Sequence, residues 1–264
     1  MDLQLQNKIA FISGSTAGIG FAIAKSLLQE GAHVIINGRS QDGVDKAVEE
    51  LKGLVKNATV SGFPADFSKA DEVNRLIEQL PNIDILVNNA GIFEPKPFEQ
   101  IPDEDWFRFF EVNVMSGVRL SRHFLPKMLQ KNWGRIIFIS SESAVFIPDE
   151  MIHYGMTKTA QLAISRGLAE LTKGTQVTVN SILPGPTMSK GAGDFIQELA
   201  KSGNKSIGDV ESDFFKNMRP TSLLQRFASV DEVANTVTYY ASPLASATNG
   251  ASIRVEGGLV RSIL

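Results

Sequence analysis

Short apolar runs alternate along the chain with longer stretches whose apolar positions recur at helical spacing. Ile9-Ala10-Phe11-Ile12 reads as a buried strand that ends in a glycine-rich turn. Helical spacing follows from Ile19 to Leu28, with Gly31 as the stop. The same alternation predicts strands at 34–36, 60–63 and 83–87 and helices at 41–55 and 69–79. A long helical region covers 103–131, with interruptions expected near Gly117 and Pro126. Beyond it the pattern gives strands at 135–140, 177–183 and 252–255 and helices at 153–173 and 231–241.

Near-continuous apolar strands separated by helices imply a parallel sheet covered on both faces. With right-handed crossovers, the expected fold class is α/β, a doubly wound Rossmann-type sheet. No linker interrupts the rhythm, so 1–264 reads as a single dinucleotide-binding catalytic domain. The segment 186–222 departs from the alternation: Gly191, Gly193, Gly203 and Gly208 lie among Phe195, Phe214 and Phe215. Glycines permit hinging and aromatics close a pocket, which makes it a small mobile substrate lid; the plainer alternative is a surface insertion.

Composition narrows the partners. The 264 residues carry 26 basic and 29 acidic side chains, interspersed, for a net charge of -3. No basic stripe or like-charge run marks nucleic acid or an anionic membrane as a partner. No cysteine is present, which excludes disulfides, thiolate catalysis and Cys-ligated zinc. His33, His123 and His153 show no metal-ligand spacing, so no metal site is expected. The N-terminal residues lack a secretory pattern and no apolar run is long enough for a membrane helix, so a cytoplasmic protein is expected.

The first strand leads into Ser13-Gly14-Ser15-Thr16-Ala17-Gly18-Ile19-Gly20. Glycines allow a tight turn and close approach of a pyrophosphate, and the following helix offers free N–H groups and its positive dipole end. Gly14, Ser15, Thr16, Gly18, Ile19 and Gly20 are therefore candidate cofactor contacts. The second strand ends in Asn37-Gly38-Arg39-Ser40, without the acid that would bind a ribose 2′-hydroxyl and repel a 2′-phosphate. Arg39 can pair with that phosphate, Gly38 leaves room, and Ser40 adjoins it. NADP(H) is preferred; NAD(H) use stays open because Ala17 is not a second basic group. After the fourth strand, Asn88-Asn89-Ala90-Gly91 would let the chain run beside the cofactor, with Asn88 open to a purely structural role.

Tyr154-Gly155-Met156-Thr157-Lys158 places a phenol and an ammonium on one face of a helix. A tyrosine near pKa ~10 is a poor base at neutrality, and a neighbouring cation would stabilise its phenolate. Ser141 follows the strand 135–140, so its hydroxyl and the phenol can face one substrate oxygen. Asn113 sits inside the helical region 103–131, where an asparagine is unfavourable unless its amide is used. Asn113, Ser141, Tyr154 and Lys158 form the candidate catalytic set.

In this order, the glycine turn, Asn88-Asn89-Ala90-Gly91, Asn113, Ser141, Tyr154 and Lys158 resemble the short-chain dehydrogenase/reductase family. The resemblance runs over about 7–258 and the Gly-x-x-x-Gly-x-Gly spacing matches its compact branch. It implies an adenine contact at Asp66-Phe67 and a water held by Asn113 that links Lys158 to solvent. The other reading of Asn113 is an amide tying helix to sheet. In the family the turn at Pro184-Gly185-Pro186-Thr187-Met188-Ser189 fixes the nicotinamide carboxamide, so Pro184, Gly185, Thr187 and Ser189 join the cofactor set. A homotetramer or homodimer is also implied, with Arg254-Val255-Glu256-Gly257-Gly258 at a subunit interface. Trp106, Phe107, Phe109 and Phe110 read as helix packing or a further interface.

The expected activity is hydride transfer between the nicotinamide and a small carbonyl or alcohol, with Tyr154 as general acid/base. Epimerisation or dehydration on the same fold, or a non-catalytic dinucleotide-sensing role, are the alternatives. Phe93, Glu142, Ser143, Ile147, Met151 and Met188 are the substrate-pocket candidates, a mostly apolar set with one polar handle. Glu142 either binds a hydroxyl or amine or points to solvent.

Overall fold

The computed structural model describes residues 1–203 and 205–263, apart from the side chains at 190, 194, 195, 199 and 202. Seven parallel strands among them form one sheet in the order β3-β2-β1-β4-β5-β6-β7. They are β1 (Ile9–Ile12), β2 (His33–Gly38), β3 (Val60–Pro64), β4 (Ile85–Asn88), β5 (Gly134–Ile139), β6 (Val177–Pro184) and β7 (Ser252–Val255). The helices are α1 (Gly18–Gln29), α2 (Gln41–Leu54), α3 (Ala70–Gln79), α4 (Asp103–Phe110), α5 (Ser116–Gln130), α6 (Ile152–Glu170), α7 (Lys190–Gly203), α8 (Ile207–Asp213) and α9 (Val230–Ala241). This is the expected Rossmann-type α/β fold.

Strand periodicity splits the core into two layers. Ala10, Ile12, Ile137 and Ile139 face a cluster with Ile23, Leu27, Leu51 and Val237, under α1, α2 and α9. Phe11, Ile136 and Phe138 face the other way, onto Leu76, Leu120, Phe124 and Met128 of α3 and α5. Both layers are buried, so the central strands carry apolar residues on both faces, whereas edge strand β7 alternates exposed and half-buried ones. The chain passes from β1 outward to β3 and returns to β4 on the other side of β1. A crevice therefore opens at the carboxyl ends of β1 and β4, where ligands of such sheets bind.

One expectation needs correction. Of the two interruptions expected in 103–131, the one near Gly117 is found just before it, whereas Pro126 lies inside α5 without breaking it. The break is a π-helical turn at Glu111–Met115, which carries Asn113. The segment 186–222 forms α7, α8 and a π-helical turn at Phe214–Met218. Ser206 and Asp209 make a capping box at the start of α8, and Ile196, Val210, Phe215 and Phe227 pack into a small apolar core of their own. Asn204 and the side chain of Phe195, both inside the expected lid, lie outside the described residues. No helix among the described residues is long and apolar enough to cross a membrane.

Candidate active site

The glycine turn is braced from two neighbouring strands. The Gly14 amide donates to Asn37 Oδ1 at 3.1 Å, and the Asn89 side-chain amide donates to the carbonyls of Ser13 and Gly14 at 3.0 and 2.8 Å. Ser13 Oγ accepts from the backbone amides of Asn89 and Ala90, both at 2.9 Å. A Cβ at Gly20 would lie 2.5 Å from Asn89 Nδ2 and 2.7 Å from the Gly14 carbonyl, so only glycine closes this turn. Asn37 and Ser13 escaped the sequence reading, since polar residues at strand ends carry no signal of what they hold.

Helix α1 begins with no side-chain cap from Ala17 and no acid in its first turn. Its leading N–H groups are thus left for an anionic ligand. A cleft of about 570 Å³ lies over them, lined by Gly14, Thr16, Gly18, Ile19, Gly20, Arg39, Asp66, Phe67, Asn89, Ala90 and Gly91. Those expected contacts do converge. A dinucleotide fits such a donor set: uncapped amides for a pyrophosphate and an exposed guanidinium at the rim.

Two expected contacts do not face this cleft. Ser15 is fully buried and its hydroxyl donates to the Ile12 carbonyl at 2.7 Å while accepting from the Asn37 amide at 3.0 Å. Ser40 is the N-cap of α2, accepting from the Gly43 amide at 3.3 Å. At Gly38 a Cβ would stand 2.5 Å from Thr16 Cγ2, so the small residue serves packing of the glycine turn. Asp66 holds the Ser68 amide and hydroxyl at 2.9 and 2.8 Å, bonds that keep its carboxyl below the usual range.

A second cavity, about 280 Å³, adjoins the first through Ile19, Asn89, Gly91, Ile92, Phe93 and Ser189. Ser141, Tyr154 and Lys158 all line it, as do Pro184, Gly185, Thr187 and Ser189. Lys158 Nζ donates to the Ile139 carbonyl at 2.9 Å and lies 5.5 Å from the Tyr154 ring centre. Burial pulls the Lys158 ammonium down to about 8. The expected lowering of the phenol is not present in this state. Desolvation and then the Glu142 carboxylate push Tyr154 above its ordinary value, and contact with Ser141 offsets only part of that.

Asn113 does not line the cavity; it stands behind it. Its Oδ1 accepts from the Ile92 amide at 2.8 Å, and its Nδ2 donates to the Ile92 carbonyl and Thr157 Oγ1, both at 3.0 Å. The π-helical turn swings this amide between the segment after β4 and helix α6. The closure it makes is of loop to helix, where the sequence reading offered helix to sheet.

Of the substrate-pocket candidates, Phe93, Glu142, Ser143 and Met151 line the cavity. The Phe93 and Tyr154 rings meet edge to face at 6.4 Å. Ile147 and Met188 are outside the lining: Ile147 packs over Gly155, and Met188 is 37% exposed. Glu142 does not point to solvent. It is 6% exposed, accepts a hydrogen bond from the Ser141 hydroxyl on Oε2, and is pushed upward by burial. Arg219 Nε lies 3.9 Å from Glu142 Oε1, and Arg219 Nη2 pairs with Glu150 Oε1 at 2.9 Å. Arg219 and Glu150 were missed; an arginine just after Phe214 and Phe215 in the aromatic-rich segment was the available signal.

The profile of the family described as short chain dehydrogenase matches residues 8–199. The chain is 54% identical over 266 residues to the uncharacterized oxidoreductase YvrD of Bacillus subtilis (strain 168), covering 100% of both. It is 32% identical to the D-beta-hydroxybutyrate dehydrogenase of Rhizobium meliloti (strain 1021), covering 95% of this chain and 98% of that one. Among solved structures, the L-sorbose reductase of Gluconobacter frateurii, complexed with NADPH and L-sorbose, superposes with a TM-score of 0.93 at 30% identity over 100% of both chains.

Proposed function

The chain belongs to the short-chain dehydrogenase family, and on that premise we propose that it is an NADP(H)-dependent oxidoreductase acting on a carbonyl or alcohol through Tyr154. One observation carries the reading: Ser141, Tyr154 and Lys158 line a single cavity that is continuous with a cleft over the uncapped start of α1. A nicotinamide dinucleotide bound across the two would supply or accept the hydride.

The chain's own part is positioning and proton transfer. In the reductive direction Tyr154 Oη donates its proton to the oxygen of the reacting carbonyl, and Ser141 Oγ hydrogen-bonds the same oxygen as charge develops there. Lys158 favours the phenolate left behind. Asn113 holds the segment after β4 against α6 and so fixes the distance between the two clefts. Phe93 and Met151 give the cavity apolar walls, Phe93 edge to face with Tyr154. Preference for the phosphorylated cofactor is supported by Arg39 at the cleft rim, where β2 ends without an acid. The L-sorbose reductase with NADPH bound is consistent with it. Phe107 and Phe110 of α4, 75% and 41% exposed, support association of copies as a homodimer or homotetramer.

Tyr154→Phe tests the assignment. Turnover of any accepted ketone should fall by at least about a thousandfold, within the range that a positioned acid/base contributes together with its hydrogen bond. NADPH binding, followed by its fluorescence, should stay within a few-fold. Near-normal turnover in the variant defeats the proton-transfer role, and product formation without net NADPH consumption indicates epimerisation or dehydration.

A further inference from the structure

The polar end of the substrate cavity is a cluster that proton transfer does not use. Glu142 and Arg219 are each 6% exposed, deep enough that unpaired charges there would be costly. Arg219 comes from the segment that covers the cavity. Its guanidinium donates to the Met218 carbonyl at 2.9 Å and to Glu150 Oε1 at 2.9 Å, and it lies 5.6 Å from the Phe214 ring centre. So fixed, it faces Glu142 Oε1 at 3.9 Å. The other carboxylate oxygen, Oε2, accepts a hydrogen bond from the Ser141 hydroxyl.

A serine hydroxyl has one hydrogen. While Glu142 holds it, Ser141 cannot donate it to a carbonyl oxygen. If Ser141 turns to such an oxygen, the buried carboxylate loses one donor and keeps only Ser143 and the Arg219 guanidinium at 3.9 Å, a loss that costs more there than at an exposed site. A substrate that brings its own donor to Glu142 removes the conflict. That donor must sit next to the carbonyl, because Glu142 Oε2 is one hydrogen bond away from Ser141 Oγ.

Charge decides what the donor is. The cavity is lined by two carboxylates, Glu142 and Glu150, and by two cations, Arg219 and Lys158. They balance, and Arg219 is already engaged by Glu150. A substrate carboxylate would meet Glu142 where it approached Ser141, and an ammonium would upset the balance beside Arg219 and Lys158.

We propose that Glu142 is a specificity residue that selects neutral α-hydroxy ketones, or the vicinal diols formed from them. The α-hydroxyl replaces Ser141 as the donor to Glu142 and so releases the Ser141 hydroxyl for the carbonyl. Arg219 is the positioning residue that holds the Glu142 carboxylate in place. This rests on the oxidoreductase reading and narrows its substrate.

Four ketones that differ at one carbon test it: 1-hydroxy-2-hexanone, 2-hexanone, 1-amino-2-hexanone and 2-oxohexanoate, each reduced with NADPH by the full-length protein. The expected result is a kcat/KM for the hydroxy ketone about tenfold to a hundredfold above that for 2-hexanone, with the amino ketone and the keto acid both poorer than the hydroxy ketone. In Glu142→Leu the ratio of hydroxy ketone to 2-hexanone should fall to near one. Glu142→Gln keeps an acceptor oxygen and should retain part of the ratio, which also covers the case in which the leucine variant does not fold. A ratio near one in the wild type, a ratio unchanged in both variants, or a preference for the amino ketone or keto acid overturns the proposal. If the wild type turns over none of the four, the oxidoreductase reading is in difficulty. Calorimetric binding of the hydroxy ketone and 2-hexanone to protein saturated with NADP+ then decides this proposal separately, equal binding or none counting against it.

Discussion

Lys158 is the clearest case of one residue held against its own solvation. Its ammonium is buried and donates to the Ile139 carbonyl, and burial takes it from the ordinary 10.5 to about 8. Below about pH 8 the group is charged in both folded and unfolded chains, so the full cost of burying the charge is present. Between about 8 and 10.5 the unfolded chain binds the proton that the folded one has lost, so stability rises with pH across that window. The total change corresponds to about 3 kcal/mol. Comparing urea unfolding of wild type and Lys158→Met at pH 7.5 and 10 should show the wild type gaining most of that amount on the variant. Parallel pH courses in the two proteins would mean that the ammonium is not desolvated. The comparison is insensitive to the Ile139 carbonyl, which lacks its donor in the variant at both pH values. Single residues also mark a limit of sequence reading. Ser15 and Ser141 both follow strands, yet one hydroxyl turns inward to Ile12 and the other lines the cavity. Residue type and spacing name both and orient neither.

At the scale of elements, strands were legible because burial on both faces writes an unbroken apolar run. Helices with one dry face were legible by their spacing. The π-helical turn at Glu111–Met115 was not, because what stabilises it is distant in sequence: the Asn113 side chain bonds Ile92 and Thr157, 21 and 44 residues away. The helices of 186–222 were obscured by glycines that mimic a loop. Arg135 was likewise hidden, absorbed into the apolar run of β5 while being 1% exposed. Its guanidinium donates to the carbonyls of Ser242, Gly134 and Gln176 at 3.2, 2.9 and 2.8 Å, joining the start of β5 to the end of α9 and the segment before β6. Burial draws it down to about 10. Arg135→Leu keeps the volume apolar but leaves three carbonyls without that donor, and should cost about 2–5 kcal/mol in chemical denaturation. Arg135→Lys should recover only part, since a compact ammonium cannot span the three as a planar fork does. A loss under about 0.5 kcal/mol for the leucine variant would show that water replaces the guanidinium without penalty.

For the whole molecule, net charge and local field point in opposite directions. The chain carries -3 overall, which does not favour an anionic cofactor. Attraction must come from the crevice itself, from the uncapped start of α1 and from Arg39 at its rim. A ligand that binds only the folded chain stabilises it by RT ln(1 + [L]/Kd), about 2.7 kcal/mol at a hundredfold excess over Kd. For a domain of this size that is a rise of about 5–10 °C in Tm. NADPH should therefore raise Tm more than NADH at equal concentration, the difference reporting the 2′-phosphate alone. Because Arg39 is exposed, the difference should shrink in high salt. Arg39→Asp should reverse the order, replacing an attraction for the phosphate with a repulsion and offering the 2′-hydroxyl of NADH an acceptor. Thermal scans of both proteins with both cofactors check this in four measurements. An order of NADPH over NADH that survives Arg39→Asp would assign the preference to the backbone amides of the glycine turn and not to the rim.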